Sequence, residues 1–440
     1  MKDDTTQDAL RVIEMFDALP VERRIDVFKD LSPEAREQLL EVVRRPQEVI
    51  RKISEEEMFF TIKALGMENA PALIRSTTGK QLRYLIDLEF WKKNMFEARS
   101  AAKWLEIISR MGEEKVLQLM QVADPELIVT VMNRLIKVAI RDLDIDLVEQ
   151  QDSLPLFTLE DLFYIEFRFR EYEDELKNFL ELIYRWSPEY YFGLMQELAR
   201  GVQLESEEAA RKWRQARLAD KGFPEFEEAM AIYQYLKRDA VQGPLTELSP
   251  HEPGDAGETR AFLGYPLKLI DKNSLFKKCL DEISTQDEKD RLSTELAHLA
   301  NKVMVADGRD PGSMDELQGS LEKVSGYINI ALEDLCRSNL THALGLLRSN
   351  HLEMLFRRGF SLILDLRKEA HKLVRGYEGG VENLGYPLAG LVKGLFEKRP
   401  FYAAKGFGEE KDREFEQLED LTCIRNMMDR SALEDRWESI

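Results

Sequence analysis

The chain has 440 residues, of which 44% are hydrophobic and 33% charged, and its formal net charge is -20. This length exceeds what one hydrophobic core usually organises, so two or three packed units are expected, and the composition is that of a folded protein. The negative charge would repel phosphates and anionic lipids, which argues against general nucleic-acid or membrane-surface binding but leaves a local basic patch open.

Cysteine usage and hydropathy indicate the compartment. Cys279, Cys336 and Cys423 are odd in number, widely spaced and without a CxxC pair, so neither a disulfide framework nor a zinc ribbon is predicted. The amino terminus lacks the pattern of a signal peptide, and no run of eighteen or more apolar residues would span a membrane. We therefore expect a cytoplasmic protein without a transmembrane segment.

Residues 1–141 are expected to form a helical-repeat-like domain of short stacked helices. Apolar residues recur at helical spacing from Leu10 to Ile140. Cap chemistry opens several of the predicted helices: Ser32 precedes Pro33, Asp124 precedes Pro125, and Ser54 lies three residues before a glutamate.

Two stretches of this domain resemble a known family. The sequences LPVERRIDVFKDLSPEAREQLLEVV (residues 19–43) and VADPELIVTVMNRL (residues 122–135) are similar to the cytoplasmic N-domain of MgtE-type magnesium transporters. More distantly, they resemble the helical middle of the flagellar switch protein FliG. The resemblance implies a superhelical interaction or regulatory surface, but no residue-by-residue match carries magnesium ligands over to this chain.

A change of period follows. Leucine and isoleucine alternate with aspartate at residues 142–147, and four apolar residues alternate with polar ones at residues 163–169. Period two predicts strands, so a small β-hairpin is possible near residues 142–169, with a helix starting at Leu159 as the alternative. Helical spacing then resumes, which makes residues 142–242 a middle domain with a helical remainder.

The second half of the chain is predicted to be helical after a linker. Residues 243–258, GPLTELSPHEPGDAGE, contain three glycines and three prolines, which favour an exposed linker or long loop. Residues 259–440 then form a C-terminal helical domain, with a long helix from Leu352 to Val374. The whole is predicted to be mainly α.

Three later segments carry a second resemblance. They are EEAARKWRQARLADKGFPEFEEAMAIY (residues 207–233), FRRGFSLILDLRKEA (residues 356–370) and the repeated LGYPL at residues 263–267 and 384–388. These segments are similar to an uncharacterised bacterial family of helical proteins known as a domain of unknown function. The resemblance implies no activity and no site residues.

Motifs that would carry catalysis or hold a cofactor are not found. The segment RSTTGKQ (residues 75–81) lacks the first glycine of a phosphate-binding loop, and it is predicted to be a turn. The five histidines include no HxxxH or HExxH pair, and ADGRDPG (residues 306–312) lacks the ligand spacing of a calcium loop. No catalytic, cofactor-binding or metal-binding residue is therefore predicted.

One basic helix is the candidate binding surface. Arg211, Arg214 and Arg217 surround Trp213 in an otherwise acidic protein, and guanidinium groups suit an acidic partner or a small anion. The commoner alternative is an internal clamp, in which these arginines pair with the acidic turn at residues 205–208 or with neighbouring helices.

The sequence favours a non-enzymatic cytoplasmic scaffold or regulatory protein that binds another protein through helical surfaces. The alternative is an enzyme or small-anion-binding protein with a cleft between the helical halves. Partner identity and oligomeric state are not predicted.

Overall fold

The computed structural model describes residues 13–438, apart from residues 93, 151–152, 202, 242–273, 338, 378 and 409. The chain divides into two compact units, Met1–Leu218 and Ala219–Ile440. Both are mainly helical, which confirms the predicted fold class. The predicted linker at residues 243–258 and the first LGYPL segment lie outside the described residues. Among the described helices, none combines the length and apolar character needed to cross a membrane.

Unit 1 is a succession of short helices with two small sheets. Its helices are α1 (Val21–Asp30), α2 (Pro33–Val42), α3 (Pro46–Ile50), α4 (Glu55–Leu65), α5 (Pro71–Ser76), α6 (Gly79–Glu89), α7 (Ala98–Arg110), α8 (Glu113–Val122), α9 (Pro125–Leu135), α10 (Leu147–Gln150), α11 (Glu173–Trp186), α12 (Pro188–Arg200) and α13 (Gln203–Ala219). Its strands are β1 (Trp91–Lys92), β2 (Met95–Phe96), β3 (Ile136–Ile140), β4 (Phe157–Thr158) and β5 (Phe163–Phe167).

Local chemistry explains where these helices begin. The hydroxyl oxygens of Ser32 and Ser54 accept backbone N–H groups in the first turns of α2 and α4, as predicted. The carboxylate of Glu37 on α2 accepts the backbone N–H groups of Ala72 and Leu73, at 2.7 and 2.9 Å. A negative charge at the amide end of a helix is stabilising, so Glu37 fixes α5 against α2.

The larger sheet of unit 1 differs from the predicted hairpin. Strand β5 confirms the strand expected from residue 163, but β5 lies between β3 and β4 and pairs with both antiparallel. The strand expected at residues 142–147 does not form. Asp142 Oδ1 accepts the N–H of Asp144, and Asp146 Oδ1 accepts the N–H of Val148. Aspartates that bind nearby amides stabilise turns over strands, which explains the error.

Unit 2 is built around one buried helix. Its helices are α14 (Phe226–Ala229), α15 (Leu275–Glu282), α16 (Gln286–Asp307), α17 (Met314–Cys336), α18 (Leu340–Ser349), α19 (Leu352–Val374), α20 (Leu388–Phe396) and α21 (Leu418–Glu438). Helix α17 packs against α15, α16, α18, α19 and α21. A Cβ atom at Gly359 of α19 would overlap the carbonyl oxygen of Tyr327 on α17, so this glycine permits close helix packing.

Candidate interaction surface

The four candidate residues of the basic helix α13 differ in how far they are exposed. Arg214 is buried, and Arg217 has 25% of its side chain exposed. Trp213 has 55% of its surface exposed, and Arg211 is half-buried. The sequence therefore located a cationic helix, and the structure directs two of its arginines into unit 1.

Arg214 packs against the end of α6. Its Nε donates to the carbonyl oxygen of Asp87 at 2.5 Å. Its guanidinium group also lies over the indole ring of Trp91, 5.6 Å from the ring centroid. A guanidinium ion held over an indole face gains cation–π attraction in addition to the hydrogen bond.

Arg217 links α13 to two acidic residues of unit 1. Its Nε and Nη2 donate to both carboxylate oxygens of Asp87, at 2.7 and 2.8 Å, and its Nη1 donates to Asp124 at 2.7 Å. Burial alone would lower the pKa of Arg217, but the two aspartates together raise it. Asp124 was predicted to cap α9, yet its side chain caps no amide there because it is paired with Arg217.

These contacts are those that an internal clamp on neighbouring helices requires. Burial raises the pKa of Asp87, and Arg217 opposes that rise, so each charge stabilises the other in a partly dry site. An external anion at Arg217 would have to displace Asp87 and Asp124. An incoming partner could contact exposed side chains of α13, such as Trp213 and Lys212, without that displacement.

A second surface of unit 1 combines apolar and acidic side chains. We name residues 140–150, which run from the last residue of β3 through α10, the acidic loop. Leu143 and Val148 are 71% and 77% exposed, and Ile140 and Ile145 are exposed as well. Of the 17 large hydrophobic side chains exposed in the described part of the chain, these four fall within one short segment. Such clustering differs from the scattered apolar exposure that is normal on protein surfaces.

The acidic loop is held in a defined conformation. The Gln150 side chain is buried and binds both the N–H and the carbonyl oxygen of Asp142, at 3.0 and 2.7 Å. It also donates to the carbonyl oxygen of Ile145 at 2.9 Å. These three hydrogen bonds join the start and middle of the loop to the side chain of its last residue, so the apolar residues are presented on an ordered backbone.

The carboxylates of this loop lack cationic partners. All four are exposed, and none forms an ion pair within the residues that the structure describes; they are Asp142, Asp144, Asp146 and Glu149. The loop has one basic residue, Arg141, which is half-buried and forms no ion pair with these carboxylates. The surface therefore presents exposed aliphatic side chains among carboxylates that outnumber the single arginine of the loop by four to one.

Unit 2 contains a buried ion cluster that the sequence did not reveal. Lys323, fully buried on α17, donates to Asp307 at 2.9 Å and lies 3.4 Å from Glu414. Asp307 also accepts from Tyr233 at 2.7 Å and from Arg399 at 2.5 Å. Burial raises the pKa of Glu414, whereas for Asp307 the nearby cations and the tyrosine outweigh burial and lower the pKa. The cluster joins residues far apart in sequence into one core.

These charged groups serve as structural anchors in the arrangement observed. Each cation of the cluster already contacts a carboxylate or a carbonyl oxygen, as with Arg399 Nη2 and the carbonyl of Ala306 at 2.6 Å. Within the described ranges, no group of three histidine, cysteine, aspartate or glutamate side chains is placed to hold a metal ion. The segment at residues 75–81, predicted to be a turn, connects the end of α5 at Ser76 to the start of α6 at Gly79, where Thr78 caps α6 and Gly79 leaves room for Val122.

The acidic loop is the surface that sequence reasoning missed. Its signal was present, because aspartates interleave with leucine and isoleucine, but the same alternation is typical of a half-buried strand. Burial of the apolar side chains distinguishes a strand from an exposed loop, and that burial depends on whether another element covers them. The lysine-containing cluster of unit 2 offered no such signal, since its members come from five separate segments of the chain.

Comparison with known proteins gives one match. The model of a family described as a family of unknown function (DUF6178) matches residues 13–437. No curated protein and no solved structure matches the chain. The resemblance of the N-terminal third to MgtE and FliG is therefore unconfirmed.

Proposed function

We propose that this chain, which belongs to the family of unknown function DUF6178, is a non-enzymatic cytoplasmic scaffold or regulatory protein that binds another protein. The observation that carries the proposal is the acidic loop. It exposes four aliphatic side chains together, on a backbone that Gln150 holds in place. Apolar exposure concentrated in one short segment favours a surface that a partner covers.

The free energy gained by covering the exposed apolar side chains of the acidic loop is sufficient for specific binding. Full burial of one leucine or valine side chain contributes roughly 1.5–3 kcal/mol. Leu143 and Val148 are each about three quarters exposed, so covering both would contribute roughly 2–4 kcal/mol. At 1.4 kcal/mol for each factor of ten, these two side chains alone would strengthen binding by about 30-fold to 1000-fold.

Helical surfaces are part of the same proposal. Trp213 of α13 is an exposed aromatic residue, and tryptophan contributes strongly at many protein interfaces. The alternative function, binding of a small anion by the α13 arginines, has weaker support because Arg214 and Arg217 already contact acceptors in unit 1. Protein binding therefore accounts for more of the exposed features.

The test compares two double variants of matched chemistry. Leu143→Ser/Val148→Ser removes apolar surface from the acidic loop, and Val42→Ser/Met95→Ser removes exposed apolar surface elsewhere in unit 1. Each tagged variant is expressed in the native cell and purified with its bound proteins under identical conditions. A photo-crosslinking amino acid at position 148, in a parallel wild-type background, then identifies the protein that contacts the loop.

We expect one stoichiometric partner that crosslinks at position 148, copurifies with the wild type and the control variant, and is lost from the loop variant. Trp213→Ala, purified alongside, asks whether α13 contacts the same partner. The proposal is refuted if the loop variant and the control retain the same bound proteins in the same amounts. Circular dichroism establishes that both variants stay folded, as expected for exposed side chains.

A further inference from the structure

We propose that the partner of the acidic loop contributes a basic amphipathic segment, in which lysine or arginine side chains flank an apolar stripe. This inference rests on the proposed function, and it names the chemistry of the partner. The four aliphatic residues of the loop require an apolar surface opposite them. The four carboxylates between them require positive charge.

Charge complementarity carries the inference. Some surface carboxylates of this protein are paired, as Glu288 is with Arg348 at 2.6 Å and Glu48 with Arg24 at 2.7 Å. The carboxylates of the acidic loop have no such cation among the described residues, although they lie close together in sequence. Like charges placed together repel, and a bound cation relieves that repulsion. The loop thus carries a binding preference that its own unit does not satisfy.

Other occupants fit less well. A second copy of the chain would bring the same acidic loop and a net charge of -20, so two copies repel at this surface. Nucleic acid and anionic membranes would be repelled for the same reason. An uncharged apolar partner would cover the aliphatic side chains but leave the carboxylates facing low-dielectric surface, which costs free energy.

The probe is a synthetic amphipathic peptide of leucine and lysine, with two relatives in which glutamate replaces lysine or serine replaces leucine. Binding to the full chain is measured by fluorescence anisotropy at low and high salt. The loop variant removes four charges and keeps the side-chain oxygens that accept the turn hydrogen bonds: Asp142→Asn, Asp144→Asn, Asp146→Asn and Glu149→Gln. A matched control neutralises four other exposed glutamates of the chain: Glu113→Gln, Glu114→Gln, Glu227→Gln and Glu228→Gln.

We expect the leucine–lysine peptide to bind the wild type and the control alike. Because an exposed ion pair changes affinity by up to roughly fivefold, the loop variant should bind about 10-fold to 100-fold more weakly. Added salt should weaken binding to the wild type more than to the loop variant. The glutamate and serine peptides should bind neither protein well.

Two results would overturn the inference. Equal loss of binding in the loop variant and the control would mean that the peptide responds only to the net charge of the chain. Equal binding of the lysine and glutamate peptides would mean that charge plays no part. The outcome is separable from the proposed function: a native partner that is lost with Leu143→Ser/Val148→Ser but unaffected by the loop charge variant leaves protein binding intact and removes the basic partner.

Discussion

Replacing Arg217 with methionine tests whether α13 is clamped from within. Methionine keeps much of the length and apolar stem of arginine but removes the charge and the donors. Asp87, whose side chain is only 2% exposed, would lose the guanidinium group that binds both of its carboxylate oxygens. The substitution therefore leaves a buried carboxylate without its main partner.

The expected loss follows from the burial of the two groups. Removing one member of a fully buried ion pair costs about 3–5 kcal/mol. Arg217 itself is partly exposed, and Arg214 remains near Asp87, so we expect a loss of about 2–4 kcal/mol in the free energy of unfolding. If α13 were instead held only by its apolar side, Arg217→Met would cost less than about 1 kcal/mol.

Urea unfolding followed by tryptophan fluorescence measures this loss in unit 1, where four of the five tryptophans of the chain lie. The control is Lys212→Met on the same helix, because the Lys212–Glu208 pair is exposed at both ends and should contribute at most about 0.5 kcal/mol. The double variant Arg217→Met/Asp87→Leu replaces both charges by apolar groups and should recover much of the stability.

The loss should also depend on pH. Burial already raises the pKa of Asp87, and removal of Arg217 raises it further because the nearby positive charge is gone. A carboxyl group whose pKa is raised in the folded state destabilises that state as the pH rises through the raised value. The cost of Arg217→Met should therefore be larger near about pH 8 than near about pH 5. A small, pH-independent loss equal to that of Lys212→Met would refute the internal clamp.

Two further predictions concern buried groups. Burial lowers the pKa of Lys115 to about 7, so between pH 7 and 10.5 the unfolded chain binds one proton more than the folded chain. The free energy of unfolding, relative to that of Lys115→Met, should therefore rise with pH across that window by up to about 1.4 kcal/mol per pH unit. Urea melts that show a constant difference between the two proteins would contradict this. Gly359→Ala should destabilise unit 2 by about 1–3 kcal/mol in calorimetry, because a Cβ there overlaps the Tyr327 carbonyl. The control Gly193→Ala, at an uncrowded helical position, should stabilise by about 0.5–1 kcal/mol, and equal effects of the two substitutions would contradict the packing argument.

Local sequence determined much of the secondary structure of this protein. Ser32 and Ser54 start helices because a hydroxyl three residues before an amide can reach it whatever the rest of the chain does. The long helix predicted from Leu352 to Val374 forms with those bounds, because its apolar residues recur at helical period without interruption. Such features depend on neighbours a few residues away, which the sequence displays directly.

Tertiary structure decided the features that depend on distant residues. The side chain of Asp124 could cap α9 or pair with a cation, and the approach of Arg217 from α13 selected pairing. Charge composition identified the cationic helix, but the burial of Arg214 depends on Asp87 and Trp91. The sequence cannot identify such partners, because any of its many acidic residues could have been the one that contacts these arginines.

The exposure of apolar residues in the acidic loop is likewise something that the sequence alone could not determine. Alternating Leu143, Asp144, Ile145 and Asp146 suits a strand that buries one face, and the sequence alone determined that apolar and acidic groups would be interleaved. Strand β5 paired with β3 and β4 instead, so the segment became a turn with its aliphatic side chains uncovered. Whether an apolar residue is buried depends on what packs over it, and only the folded chain settles that competition.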